Sequence, residues 1–143
     1  MTSRSVAASR SGVPPWKVEP PRLAEPLLAR DRLLDRIEHT LGKTHGTGDV
    51  FLVSAPAGYG KTTMLAQWAA RASVPVAWYH LDAGDNDPVV LLSGLLQALR
   101  ARLPRSRWSV ERMLTHIRGG ALSPLDIRRA AEVFIADLAE QVR

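Results

Sequence analysis

The stretch that decides the fold is residues 50–63, VFLVSAPAGYGKTT. It begins with four consecutive apolar residues, and such a run is typical of a strand that is covered on both faces in a parallel sheet. Residues 55–62, APAGYGKT, then match the pattern of a glycine-rich phosphate-binding loop, with alanine in place of the first glycine. This departure is mild, because that position needs only a small side chain to close the loop. The stretch therefore predicts a strand, a phosphate-binding loop and a helix, in that order.

Each residue type in the loop has a physical task. Gly58 and Gly60 can adopt positive φ, which lets successive backbone N–H groups converge on phosphate oxygens. The N-terminus of the following helix adds partial positive charge at the same place. Lys61 can reach the β- and γ-phosphates, and the Thr62 hydroxyl can ligate Mg²⁺. We therefore predict that the chain binds ATP with Mg²⁺, with Thr62 as the metal ligand. The predicted nucleotide contacts are Ala57, Gly58, Tyr59, Gly60, Lys61, Thr62 and Thr63.

Hydrophobic spacing extends this pattern to both sides of the loop. A second strand is expected over residues 74–81, so that residues 50–81 form a strand–helix–strand unit of the usual size, about 30 residues. Asp87 and Pro88 suit the start of a further helix. The predicted helices cover residues 27–41, about 61–72, 88–103, 108–117, and a last stretch from 123 nearly to 143. The fold class that follows is α/β: a phosphate-loop (P-loop) NTPase fold, with a helical C-terminal stretch.

Composition bounds the other possibilities. The chain has 143 residues, 45% of them hydrophobic and 23% charged, which is ordinary for one modest globular domain. It has no cysteine, so disulfides and thiolate-held metal sites are excluded, and a reducing cytoplasm fits best. No apolar run is long enough to span a membrane. The net charge of +5 is scattered along the chain, which favours a solvated basic surface over nucleic-acid binding.

The N-terminal region differs in composition from the rest. Residues 1–22 are rich in Ser, Arg and Pro, and such a segment buries too little apolar surface to offset its ordering entropy. We therefore predict a flexible tail over residues 1–22 and an NTPase portion over residues 23–143.

Several stretches together resemble a known family. Residues 53–63 (VSAPAGYGKTT) are followed by LAQW at 65–68, VAW at 76–78 and LDAGDNDP at 81–88. Upstream lies LARDRLL at 28–34. This ordered combination resembles the large ATP-binding LuxR-type transcription regulators, the MalT-like branch of the signal-transduction ATPases, over roughly residues 20–103.

The resemblance implies more than the loop does. It implies an ASCE/AAA-like ATPase core, followed by a winged-helix segment, a helical-repeat inducer sensor and a C-terminal helix-turn-helix. DNA would then be bound only through a domain that lies outside this chain. ATP would serve chiefly as a conformational switch. The segment that matches residues 28–30 lies near the adenine in related ATPases, although here it equally suits the entry to a helix.

The family also implies an acidic strand that holds Mg²⁺ and orients the attacking water. The look-alike is VFIAD at residues 133–137, but its apolar spacing predicts a helix with Asp137 on the surface. The chain is therefore expected to represent the N-terminal part of the NTPase domain and to end before the acidic strand. In this class of sheet that strand lies between the two strands predicted here. We accordingly expect an isolated chain that is marginal, aggregation-prone or rearranged. ATP hydrolysis by this chain is doubtful, and no residue is assigned a catalytic role.

Other interpretations stay open. A free-standing small kinase or ATPase would need arginines near its acceptor, and residues 100–107 carry four. A functionally silent truncated product is a further alternative, as is a partner that associates with other copies or with related ATPase domains. Asp82, Asp85 and Asp87 suit a turn and helix cap better than a metal site. The aromatic pair Trp78-Tyr79 is more typical of a core than of a base-stacking site.

Overall fold

The computed structural model describes residues 13–23, 28, 30–42, 50–118 and 123–141. The regular structure in these ranges is helical. The α-helices are α1 (Pro15–Val18), α2 (Asp31–Gly42), α3 (Lys61–Arg71), α4 (Pro88–Arg102), α5 (Val110–Arg118) and α6 (Pro124–Gln141), with a 3₁₀ turn at Ala83–Asn86 before α4. The helices predicted around the loop and in the C-terminal half are thus confirmed, with bounds shifted by a few residues. No helix in the described ranges is long and apolar enough to cross a membrane.

The predicted α/β fold is wrong for this chain. Residues 50–56 and 75–82 contain no strand, and the described part of the chain forms no sheet. A strand is defined by hydrogen bonds to a neighbouring strand. The one described backbone bond from the second run goes instead from the His80 N–H to the Lys17 carbonyl. Val50 and Leu52 are 93% and 84% exposed, whereas a strand inside a parallel sheet would be covered. The apolar runs are present, but in the described part of the chain neither run lies beside a strand with which it could form a ladder.

The main core lies between α4, α5 and α6. Helix α4 begins where predicted: the Asp87 carboxylate accepts bonds from the N–H groups of Val89 and Val90, and Pro88 occupies the first turn. Trp108 stacks on Phe134 with ring centroids 6.2 Å apart. The buried residues of this core are Val89, Leu96, Trp108, Val110, Leu114, Ile117, Ala130 and Phe134. Consecutive helices thus supply one another's apolar faces.

A smaller cluster between α2 and α3 supports the glycine-rich loop. Leu34 and Ile37 on α2 pack with Met64 on α3, and all three are buried. Arg71 at the end of α3 donates to Asp31 at the start of α2. Since α3 begins at Lys61, this packing fixes the direction in which the loop enters the helix.

Part of the segment predicted as a flexible tail has regular structure, since residues 15–18 form helix α1. Helix α1 packs against α4, where Val13, Val18 and Ala98 form a buried cluster beside Tyr79. Lys17 is buried as well, with 6% of its surface exposed. Residues 1–12 lie outside the described residues.

Candidate phosphate-binding site

The loop has the backbone geometry that its glycines predict. Gly58 and Gly60 have φ of 81° and 73°, and no other described residue has positive φ. A Cβ at Gly58 would meet nothing within 4 Å, so backbone conformation, not space, is what requires glycine there. The loop is open, since Tyr59 is 63% exposed.

The N-terminus of α3 opens onto this loop. Gly60 is the N-cap residue and supplies no side-chain cap. Its carbonyl accepts the Met64 N–H at 2.9 Å, which begins the helical ladder. The N–H groups of Lys61, Thr62 and Thr63 precede that first bond and have no intrahelical acceptor. They carry the positive end of the helix dipole, which suits an anion.

The Lys61 ammonium is folded back over its own loop. Its Nζ donates to the carbonyl oxygens of Ala55 at 2.7 Å and Pro56 at 2.9 Å. These bonds hold the cation at the start of the loop, whose other end leads into the N-terminus of α3. The loop therefore brings a cation and a helix N-terminus together, which is the pairing that binds phosphate.

Arg30 joins the site from the segment before α2. Its Nη1 donates to the Tyr59 carbonyl at 3.0 Å, and its guanidinium lies against Gly60. Two residues earlier, the Leu28 carbonyl accepts the Gln67 side chain of α3 at 3.2 Å. The seven contacts predicted from the motif did not include Arg30. The signal for it was the resemblance of residues 28–30 to a segment near the bound base.

A cavity of about 470 Å³ adjoins the loop. Its polar lining includes Arg30, Arg36 and Lys61. Its apolar wall comes from Leu33, Ile37, Phe51 and Met64. The volume lies within the usual range for small-molecule sites, and such sites combine an apolar wall with a few polar groups. The cavity thus offers cations at the loop and an apolar surface beside it.

The predicted metal ligand, Thr62, suits a cation that arrives already bound to a phosphate-bearing ligand. Thr62 is exposed in the first turn of α3. In the described part of the chain, no three acidic or histidine side chains come together as a metal site. Mg²⁺ commonly takes only one or two protein ligands, with phosphate oxygens and waters completing its shell. A threonine hydroxyl at this position is compatible with that arrangement.

The acidic turn after Tyr79 is a structural unit, as predicted. Asp82 accepts the Gly84 N–H, and Asp85 accepts the Asp82 N–H at 2.7 Å, forming a capping box. Asp85 also accepts the Tyr79 hydroxyl at 2.7 Å, and both its oxygens lie 2.9 Å from the Lys17 Nζ. These side chains are thus hydrogen-bond and ion-pair partners of one another, as expected of a structural turn.

These contacts shift the acid–base properties of the cluster. The hydrogen bond from Tyr79, with those from the Asp82 N–H and Lys17, lowers the pKa of Asp85 to about 2. Burial, followed by the bond to Asp85, raises the pKa of Tyr79 to about 12. The bond to Asp85 also raises the pKa of Lys17. The Lys17 ammonium and the Asp85 carboxylate therefore both stay charged at neutral pH.

Asp137 corrects another prediction. Residues 133–137 lie inside α6, as the apolar spacing indicated, but Asp137 is only 6% exposed, so its predicted surface position is wrong. Its carboxylate accepts the Val110 N–H at 2.9 Å and so satisfies an unpaired donor at the start of α5.

The kinase alternative relied on the four arginines of residues 100–107. One of them, Arg100, forms an ion pair with Glu111 of α5.

Comparison with known proteins places the chain among relatives of one class. The curated proteins that match it are HTH-type transcriptional regulators, and they carry the name MalT. MalT of Serratia proteamaculans is 42% identical over 86 residues, which is 60% of this chain and 9% of the relative. MalT of Vibrio cholerae is 39% identical over 85 residues, 59% of this chain and 9% of the relative. MalT of Klebsiella pneumoniae is 34% identical over 116 residues, 76% of this chain and 12% of the relative.

The resemblance to MalT-like transcriptional regulators is therefore confirmed. The chain spans about a tenth of the length of the curated relatives that it matches. No family model matches the chain, and no solved structure matches it significantly.

Proposed function

We propose that this chain binds ATP with Mg²⁺ at the glycine-rich loop and acts as the nucleotide-responsive part of a MalT-like transcriptional regulator. The observation that carries the proposal is the convergence of three features at residues 55–63. These are two glycines with positive φ, an uncapped helix N-terminus and the Lys61 ammonium. Each of them favours a phosphate group at the same place.

In this proposal the triphosphate lies over the N–H groups of the loop and of the first turn of α3. Lys61 exchanges its bonds to the Ala55 and Pro56 carbonyls for phosphate oxygens, and Thr63 adds a backbone or hydroxyl contact. Mg²⁺ would be held by the Thr62 hydroxyl and by the phosphates, and it would neutralise part of their charge. The cavity of about 470 Å³ beside Lys61 has the apolar wall that a base would contact.

We infer binding rather than turnover. The acidic residue that most resembled a magnesium ligand, Asp137, is committed to the Val110 N–H in the helical core. The kinase alternative gains no support from Arg100, since this side chain is paired with Glu111. A bound nucleotide would then act by stabilising one arrangement of the loop and α2, which is how a binding event biases a conformational equilibrium.

The test is calorimetric titration of ATP with Mg²⁺ into the wild-type chain and into Lys61→Ala. Because the ammonium is a principal partner of the phosphates, we expect Lys61→Ala to weaken binding at least about tenfold, the worth of one charge-assisted hydrogen bond. The matched control is Arg112→Ala, which removes an exposed cation from α5, away from the loop, and should leave the affinity unchanged. Circular dichroism should show equal helix content in all three proteins.

Further ligands and variants sharpen the test. AMP lacks the phosphates that Lys61 would contact, so it should bind weakly and equally to wild type and Lys61→Ala. Thr62→Ala should reduce the dependence of ATP affinity on Mg²⁺. Equal ATP affinity in wild type and Lys61→Ala would refute the proposal.

A further inference from the structure

We propose that residues 13–18 form a charge-latched strap, in which Lys17 holds α1 onto the 3₁₀ turn and α4, and which can release as a unit while the rest of the fold persists. This inference is independent of the nucleotide proposal.

The strap cannot hold its shape alone. Helix α1 has four residues, far fewer than the roughly 12–15 that an isolated helix needs for marginal stability in water. Its apolar contribution is also small: Val13 and Val18 join the cluster with Ala98, and Trp16, which is 57% exposed, makes an edge-on contact with the His80 ring. Docking to α4 therefore decides whether α1 is helical.

Lys17 provides the dominant attachment. Its Nζ lies 2.9 Å from both oxygens of Asp85 and 3.0 Å from Asp82. It also lies 5.7 Å from the centre of the Tyr79 ring, at a cation–π distance. The Lys17 side chain is 8% exposed and that of Asp85 3%, so the charges are paired away from water. A buried charge pair is strongly disrupted when one partner is removed, because the other remains uncompensated.

The 3₁₀ turn and α4, on which the strap docks, depend less on the strap than the strap depends on them. Without Lys17, Asp85 would keep its bonds from the Tyr79 hydroxyl and the Asp82 N–H. The start of α4 is held separately by Asp87. Loss of the lysine charge would thus undock α1 and leave the turn and α4 in place, which makes the strap a two-state element.

One backbone amide reports directly on docking. The His80 N–H donates to the Lys17 carbonyl at 2.8 Å, so it loses its acceptor when the strap leaves. Residue-resolved hydrogen exchange should compare the wild-type chain with Lys17→Met, which keeps an apolar stem and removes the charge. Arg22→Met is the matched control, because it removes an exposed cation from the stretch that follows the strap.

We expect His80 to exchange at least about tenfold faster in Lys17→Met, as local opening becomes easier. The amides of Leu114 and Phe134 in the α4–α5–α6 core should change less than about twofold, and Arg22→Met should leave all three rates unchanged. Unchanged exchange at His80 would overturn the latch. Equal acceleration of His80, Leu114 and Phe134 would show that the strap is an inseparable part of the core, and would overturn the proposal as well.

The wild-type chain provides a second measurement that needs no variant. Exchange at low denaturant should show His80 opening through a smaller free energy than Phe134, as expected for sub-global release. A single common opening for both amides would contradict a separable strap.

Discussion

Gly94 lies in the middle of α4, directly beneath the ring of Tyr79. A Cβ at this position would approach the hydroxyl oxygen, Cζ and Cε2 of Tyr79 more closely than the 3.0 Å that real Cβ atoms keep. The ring cannot swing away freely, because its hydroxyl donates to Asp85 at 2.7 Å. The substitution Gly94→Ala therefore sets two effects on stability against each other.

Their magnitudes can be compared. Replacing a glycine by alanine inside a helix normally stabilises the protein by about 1 kcal/mol. Forcing an extra carbon into an occupied space costs about 1–3 kcal/mol. The expected net result is a destabilisation of about 0–2 kcal/mol in the wild-type background, where helix propensity alone would give a gain. In a Tyr79→Ala background the ring is gone, and the same substitution should stabilise by about 1 kcal/mol.

Urea denaturation followed by circular dichroism measures all four members of this double-mutant cycle. The expected coupling free energy between positions 79 and 94 is about 1–3 kcal/mol, with unchanged dependence of unfolding on urea. If Gly94→Ala stabilises both backgrounds by about 1 kcal/mol, the contact between Tyr79 and α4 does not constrain the fold, and the reasoning fails.

Two further measurements test the core and the charged cluster. Phe134→Ala should lower the free energy of unfolding by about 3–5 kcal/mol, whereas Ile135→Ala, one residue along α6 and 64% exposed, should cost much less in the same urea experiment; similar losses would contradict the assigned face of α6. The pKa of Asp85 is lowered to about 2 from an ordinary 3.8, so its contribution to stability is complete above about pH 4 and is lost as the pH falls toward about 2. Urea midpoints measured over this interval should therefore decline less steeply in Asp85→Asn than in wild type, and parallel curves would argue against the Asp85 contacts.

The helices and their starts could be predicted because their signals are local. Asp87 and Pro88 mark the beginning of α4 by side-chain chemistry that acts within three residues. The positive φ of Gly58 and Gly60 follows from the residue type and the loop pattern. In both cases the sequence neighbourhood contains the atoms that decide the conformation.

The predicted sheet failed because a strand requires a partner. The apolar run at residues 50–53 favours burial, but apolar character alone does not create the neighbouring backbone with which a strand pairs. The described residues contain no strand beside either run. Short continuous apolar runs also lack a periodicity that would distinguish strand from other buried backbone.

The missed residues depend on contacts between distant parts of the chain. The polar composition around Lys17 predicts a flexible tail, and its partner Asp85 lies 68 positions away in the sequence. Asp137 could have been found from helical spacing, since it lies on the same face of α6 as the buried Ala130 and Phe134. Sequence spacing could not assign Arg30 to the phosphate-binding site, because its contact with Tyr59 connects the segment before α2 to the distant glycine-rich loop.

The separation between Lys17 and Asp85 also has a consequence for biosynthesis. The lysine is polymerised 68 residues before the carboxylate that receives it. At ordinary translation speeds of about 5–20 residues per second, that interval is about 3–14 s. During this time the nascent segment leaves the ribosome without the partner that shields its charge and its two valines. The contact between Lys17 and Asp85 can therefore form only after α2 and α3 have been synthesised.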